Sequence, residues 1–130
     1  MDRIIENLWI TDNKEIETKT GIEDYIVISV GNMDESVPRD NVVIPLYLKA
    51  GITNRIVFPV SYVITDLMWY LLVGGKKVIV HCADGVDRSP FIVAFFLTIY
   101  NQRTMEDAYK IVEKAHPNTV RHMEWLGEKK

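Results

Sequence analysis

Hydrophobic positions along this chain fall into short β-branched runs separated by longer apolar segments. Leu8-Trp9-Ile10, Tyr25-Ile26-Val27-Ile28-Ser29-Val30 and Lys77-Val78-Ile79-Val80 are rich in residues that suit a pleated surface, and each reads as a strand. Gly31-Asn32 ends the second of these. Val42-Val43-Ile44 with Leu46-Tyr47-Leu48 predicts a further strand, which Pro45 bends or confines to an edge. A helix is predicted from near Pro59 to Val73, with Gly74-Gly75 as its stop. Another opens after the third run, with Ser89 as N-cap and Pro90 at N1, where its missing N–H costs nothing. Thr104 and Asp107 resemble a capping box for a helix through Ala115 that Pro117 ends, and a last helix is predicted near Thr119–Leu126. Asp12 to Lys19 is polar and reads either way, a helical turn ended by Gly21 being one option. Met33 to Asp40 reads as a charged loop.

Strands alternating with helices predict an α/β fold: one domain over 1–130, with a mainly parallel central sheet of roughly four to five strands flanked by helices. Ile56 to Val73 is the longest apolar stretch, but Pro59, Ser61, Thr65 and Asp66 interrupt it. A membrane span needs about 20 mostly apolar residues, so a buried helix across the sheet is the better reading. Trp69 and Trp125 are expected in the core.

Charge narrows the partners. A net charge of −3 and a pI near 5.6 argue against a broad nucleic-acid or anionic-membrane surface. The single cysteine excludes an internal disulfide and a zinc site built on several thiolates. A lone thiol that has to stay reduced suits a cytoplasmic setting, and Met1 to Asn7 does not read as a signal peptide.

The chemistry concentrates after Val80, in His81-Cys82-Ala83-Asp84-Gly85-Val86-Asp87-Arg88-Ser89-Pro90. Here a strand, a glycine-containing loop and a helix start are written side by side, at the sheet edge where ligands of α/β proteins bind. Such a turn aims several backbone N–H groups at one point, and the helix N-terminus adds partial positive charge. That point suits a phosphate, and a cysteine beside it suits attack on one. Arg88 has the planar fork that matches two phosphate oxygens and can follow them into a transition state. Ser89 can donate a hydroxyl hydrogen bond to the sulfur, Gly85 permits the turn, and Ala83, Asp84, Gly85, Val86, Asp87 and Arg88 would present their backbone N–H groups to the anion.

These residues resemble the signature of the cysteine-based tyrosine and dual-specificity phosphatases, His-Cys-x2-Gly-x2-Arg-Ser/Thr. The likeness continues through Ile5-Glu6-Asn7-Leu8-Trp9-Ile10, similar to the opening strand of the small dual-specificity enzymes. Gly21 to Val30 is similar to their second strand, and Thr104-Met105-Glu106-Asp107-Ala108-Tyr109 with Pro117 to their penultimate helix. The resemblance implies a phosphocysteine intermediate on Cys82, a phosphoryl clamp at Arg88, thiolate release aided by Ser89, and a loop-fixing role for His81. It implies no metal or organic cofactor. The expected substrate is a phosphorylated protein, phosphotyrosine first and phosphoserine or phosphothreonine next, with neither nucleic acid nor stable membrane association.

In one respect the chain departs from that pattern. The family supplies a general acid, an aspartate between the preceding strand and helix, where this chain reads Leu46-Tyr47-Leu48-Lys49-Ala50-Gly51-Ile52-Thr53-Asn54-Arg55. Asp66 falls inside the predicted helix as a solvated or capping residue. The loop offers Asp84 and Asp87 instead, and Cys-x-Asp-Gly-x-Asp-Arg resembles the loop of the myotubularin lipid phosphatases, in which the aspartate before the arginine is the proposed acid. Asp87 either does that work, protonated beside the phosphate dianion, or only shapes the turn with Asp84. Three alternatives to a protein phosphatase remain: a phosphoinositide phosphatase, a catalytically weak phospho-binding pseudophosphatase, and a rhodanese-like sulfurtransferase, which the Gly85 and Ser89 positions fit poorly. Asp34, Glu35, Arg39, Asn118, Arg121 and His122 could border the pocket, but a solvated surface is the expectation for charged side chains.

Overall fold

In the computed structural model the residues described are 1–18, 20–30, 42–45, 54–82 and 87–126. The chain opens with a hairpin, β1 (Asp2–Ile5) antiparallel to β2 (Leu8–Asp12), where a single strand across Ile5 to Ile10 was the expectation. Glu6 and Asn7 make the turn, and Asn7 takes a left-handed φ of 67°, which its short polar side chain tolerates. The ambiguous segment that follows is helical: α1 (Asn13–Thr18) starts where Asp12 Oδ1 accepts the Glu15 N–H at 2.7 Å.

β3 (Tyr25–Ser29) and β4 (Val42–Pro45) follow, then α2 (Asn54–Val73) and β5 (Lys77–Cys82). The sheet order is β1-β2-β5-β3-β4, and every pairing except β1 with β2 is parallel. The sheet is thus mixed, with a parallel body. β4 is an edge strand with Pro45 at its last position, where a missing N–H does least harm. The expected continuation through Leu46-Tyr47-Leu48 lies outside the described residues, as does the charged loop of Met33 to Asp40.

α2 begins earlier than expected. Pro59 is not its first residue but lies in its second turn, beyond the first four residues whose N–H groups lack helical partners. Nor is the helix buried all round. Ser61, Ile64, Thr65 and Met68 form one inward stripe, while Tyr62, Val63, Trp69, Tyr70 and Val73 are exposed. Trp69, expected in the core, stacks on Tyr100 at the surface with ring centroids 5.8 Å apart. No described helix is long and apolar enough to cross a membrane. The end of α2 is a Schellman cap: Lys76 N–H reaches Leu71 O, Gly75 N–H reaches Leu72 O, each at 3.0 Å, and Gly75 takes a φ of 78°.

α3 (Arg88–Tyr100) and α4 (Met105–Ala115) cover the sheet beside α2, and a short 3-10 turn (Met123–Leu126) stands where a last helix was expected. Thr104 caps α4 as predicted, its Oγ1 accepting the Asp107 N–H at 3.1 Å. His116 closes the helix and its Nδ1 meets Asp2 Oδ2 at 2.5 Å, tying α4 to β1.

The period-2 alternation of β5 sorts its residues into two layers. Val78, Val80 and Cys82 join the main core with Leu8, Ile10, Ile28 and the apolar residues of α3, including Phe91 and Leu97. Ile79 faces the other way, into a smaller cluster with Ile16, Ile22 and Val27 under α1. Removing a fully buried aromatic such as Phe91 from the main layer would cost about 3–5 kcal/mol. The central strand therefore delivers Cys82, at its carboxyl end, to the helix side of the sheet.

Candidate active site

Cys82 leaves β5 pointing at the first turn of α3. Its side chain is 1% exposed, and two atoms of one residue contact the sulfur: Ser89 Oγ at 3.2 Å and Ser89 N–H at 3.4 Å. Both are donors available to a sulfur that carries negative charge.

Ser89 is free to do this because it is not the cap of the helix. The N-cap is Asp87, whose Oδ1 accepts the Arg88 N–H at 2.8 Å while its carbonyl takes the first helical bond from Phe91 at 3.0 Å. The expectation of a Ser89 N-cap is thus corrected. A carboxylate two residues upstream is an equally good cap and also complements the helix dipole. Pro90 falls at N3 rather than N1, still among the positions whose N–H would lack a helical partner.

Arg88 opens the helix with its Nε 3.9 Å from Asp87 Oδ1, its side chain mostly covered. Cys82, Asp87, Arg88 and Ser89 are therefore gathered at the junction of β5 and α3. Ala83, Asp84, Gly85 and Val86 lie outside the described residues, as do Asp34, Glu35, Arg39 and the stretch from Leu46 to Thr53 where an upstream acid was sought.

His81 turns to the opposite face from Cys82, as alternation requires. It is fully buried, and neither ring nitrogen has a hydrogen-bond partner among the described residues. Burial pushes its imidazole down to about 4, with the Cys82 backbone and Asp12 opposing only in part. The ring is neutral at physiological pH. Ser29, directly across the ladder from His81, is also buried with an unpartnered hydroxyl.

The sequence named His122 among residues that could border the pocket but gave it no partner. Expected on a solvated surface, it lies with its Nε2 3.4 Å from Asp87 Oδ2 and its Nδ1 2.6 Å from Glu124 Oε2. Its ring stacks on Trp125 with centroids 3.9 Å apart and planes within 7° of parallel, and Trp125 meets Phe91 of α3 edge-on. Its backbone N–H donates to the hydroxyl of fully buried Tyr109 at 3.1 Å. Burial lifts that hydroxyl well above the ordinary tyrosine range, so it stays a phenol. His122 in turn holds the Glu124 carboxyl below its usual value. The one cue in the sequence was the spacing of Trp125, three residues after His122. Arg121, the other candidate in this segment, is committed elsewhere: it grips Glu113 through two nitrogens at 2.7 and 2.8 Å and Glu106 at 2.8 Å. Asp66 is exposed and accepts a hydrogen bond from the Tyr100 hydroxyl.

Comparison with known proteins identifies the fold and the family. Human DUSP28 superposes with a TM-score of 0.79 at 13% identity, covering 96% of this chain and 90% of that one. The human tyrosine phosphatase-like serine/threonine/tyrosine-interacting protein gives 0.77 at 16% identity, covering 97% and 90%. At such identities the likeness is one of fold. In sequence, the tyrosine-protein phosphatase vhp-1 of Caenorhabditis elegans is 27% identical over 71 residues, which is 55% of this chain but 10% of that protein. The chain thus matches only about a tenth of that relative's length. The pattern of the dual specificity phosphatase catalytic domain matches residues 61–129, more than half the chain, from within α2 through β5, α3 and α4 to the 3-10 turn, so this chain belongs to the dual-specificity phosphatase catalytic-domain family.

Proposed function

We propose that this protein hydrolyses phosphate monoesters, protein phosphotyrosine foremost and phosphoserine or phosphothreonine next, through a phosphocysteine intermediate. The observation that carries this reading is the double approach of Ser89 to Cys82 at the N-terminus of α3, with Arg88 next in the chain. In the first step the Cys82 thiolate attacks phosphorus, the S–P bond forms, and the ester P–O bond breaks. The departing oxygen takes a proton from Asp87. The Arg88 guanidinium and the loop amides that precede it would hold the phosphoryl oxygens, whose charge is greatest in the transition state. In the second step Asp87 takes a proton from water as it attacks phosphorus. The P–S bond breaks, inorganic phosphate leaves, and Ser89 receives the returning thiolate.

A panel of phosphotyrosine, phosphoserine and phosphothreonine peptides beside phosphoinositide vesicles tests the reading, with Cys82→Ser as control. Phosphotyrosine turnover that falls on the order of 10³-fold or more in Cys82→Ser supports it. Turnover confined to phosphoinositides moves the substrate to lipid. Binding of phosphopeptides without turnover makes the chain a phospho-reader.

A further inference from the structure

Asp87 is asked to do two things that conflict. A helix cap serves as an anion, and Oδ1 is engaged as one by the Arg88 N–H. A general acid has to arrive carrying a proton. We propose that His122 resolves the conflict as a positioning residue: Asp87 and His122 share one proton, held between Oδ2 and Nε2, and this pair is the proton store for the leaving group. The proposal rests on the reading of Asp87 as the acid given above.

The geometry fixes which nitrogen exchanges the proton. Glu124 Oε2 lies 2.6 Å from Nδ1, and an ionised carboxylate only accepts, so Nδ1 carries hydrogen in either charge state of the ring. The titrating atom is then Nε2, the one facing Asp87 Oδ2 at 3.4 Å. Oδ2 is also the oxygen of Asp87 left over once Oδ1 serves the cap. The ring cannot swing away easily, because it is stacked on Trp125 and the residue's backbone N–H donates to the Tyr109 hydroxyl. Trp125 packs on Phe91 of the helix that Asp87 caps, so both ends of the contact are referenced to α3. The 3.4 Å separation is an ion-pair distance that closes to a hydrogen bond when substrate is bound, as active-site contacts commonly do.

The proton then has a complete path. As S–P forms and P–O breaks, Oδ2 gives its proton to the departing oxygen and is reprotonated from Nε2, leaving a neutral imidazole and a carboxylate. When water attacks the phosphocysteine, its proton returns through Oδ2 to Nε2 and the pair is restored. Among the described residues, the other charged or titratable groups around the ring have these settings. Arg88 flanks Asp87, Arg121 is held by Glu106 and Glu113, and Tyr109 stays a phenol. On α2, which packs against the 3-10 turn, Asp66 is bonded to Tyr100 and Tyr62 lies edge-on to Phe95, while Tyr70 is exposed beside Trp69.

The experiment compares His122→Gln, Glu124→Gln and Asp87→Asn on an alkyl phosphate and on p-nitrophenyl phosphate, whose leaving group needs little protonation, across a pH series. His122→Gln is expected to slow the alkyl ester about tenfold to hundredfold, to leave the aryl ester within a few-fold, and to move the basic limb of the alkyl profile. Glu124→Gln gives the same pattern more weakly. If Asp87→Asn is selective for alkyl esters but His122→Gln leaves the alkyl pH profile as in the parent protein, the shared proton is refuted and Asp87 remains the acid. If Asp87→Asn slows both esters equally, the acid reading itself fails. Nitrogen NMR of the His122 ring in the intact protein gives a readout independent of turnover and of variant folding. Nε2 is expected to titrate with Nδ1 always protonated, and a titrating Nδ1 overturns the proposal.

Discussion

Ser89 meets Cys82 through two atoms, its hydroxyl oxygen at 3.2 Å and its backbone N–H at 3.4 Å from the sulfur. Only the first of these is removed by Ser89→Ala. Because Asp87 carries the cap, the variant keeps its helix and loses only the buried hydroxyl–sulfur contact, at about 1 kcal/mol. Hydrolysis of the phosphocysteine slows on the order of 10²-fold. Stopped-flow release of p-nitrophenolate then shows a burst followed by a slow steady state. A uniform slowing with no burst would place the hydroxyl in the first step instead.

Capping and proton transfer at Asp87 can be separated by two substitutions. Asparagine caps as well as aspartate, whereas alanine does not, so Asp87→Ala loses about 1 kcal/mol by urea unfolding and Asp87→Asn stays near the parent. Neither can give up a proton, and both lose about 10²-fold on alkyl phosphates. Equal stability of the two variants would show that the Oδ1 contact does not support the helix.

His81 makes stability depend on pH. Its folded-state value is pushed down to about 4 from 6.5, so between those values the unfolded chain binds a proton that the folded chain refuses. The stabilisation is complete above pH 6.5 and declines as pH falls toward 4, by up to about 3 kcal/mol. Urea unfolding at a series of pH values measures the slope. His81→Leu is expected to flatten it in that window, whatever the variant does to absolute stability, and an unchanged slope would assign the acid sensitivity to other groups.

Two adjacent glycines predict opposite outcomes. Gly75 sits at a φ of 78° with open space where a Cβ would go, so Gly75→Ala is strained by backbone alone, costing about 1–2 kcal/mol. A Cβ on Gly74 meets only carbonyl oxygens of Tyr70 and Leu71, at 3.4 and 3.5 Å, and Gly74→Ala is expected within about 1 kcal/mol of the parent. Thermal melts of the two variants give the comparison.

Elements with a strong local signal were legible in the sequence. Tyr25–Ser29 and Lys77–Cys82 are β-branched runs without competing patterns, and Thr104 announces α4 through its own side chain. Cys82, Arg88 and Ser89 could be singled out as candidates because neighbours in sequence are neighbours in that turn. What sequence hid was set by competition or by distance. Ser89 followed by Pro90 reads as a helix start, and only the fold decides that Asp87 caps α3 while Ser89 turns to the sulfur. Pro59 looked like a first residue because proline is common there, yet α2 has residues before it. β1 was hidden because its pairing depends on a turn at Asn7. The contact of His122 with Asp87 was not legible because it spans 35 positions of chain, through packing that begins at Tyr109 and Trp125.

β5 is flanked by parallel neighbours on both sides, and Cys82 is its last residue. A central strand belongs to the part of a fold that opens least readily, so the nucleophile is anchored by two ladders while its sulfur meets substrate at the strand's end. Substitutions that loosen β2 or β3 beside it are therefore expected to reduce turnover without touching the loop.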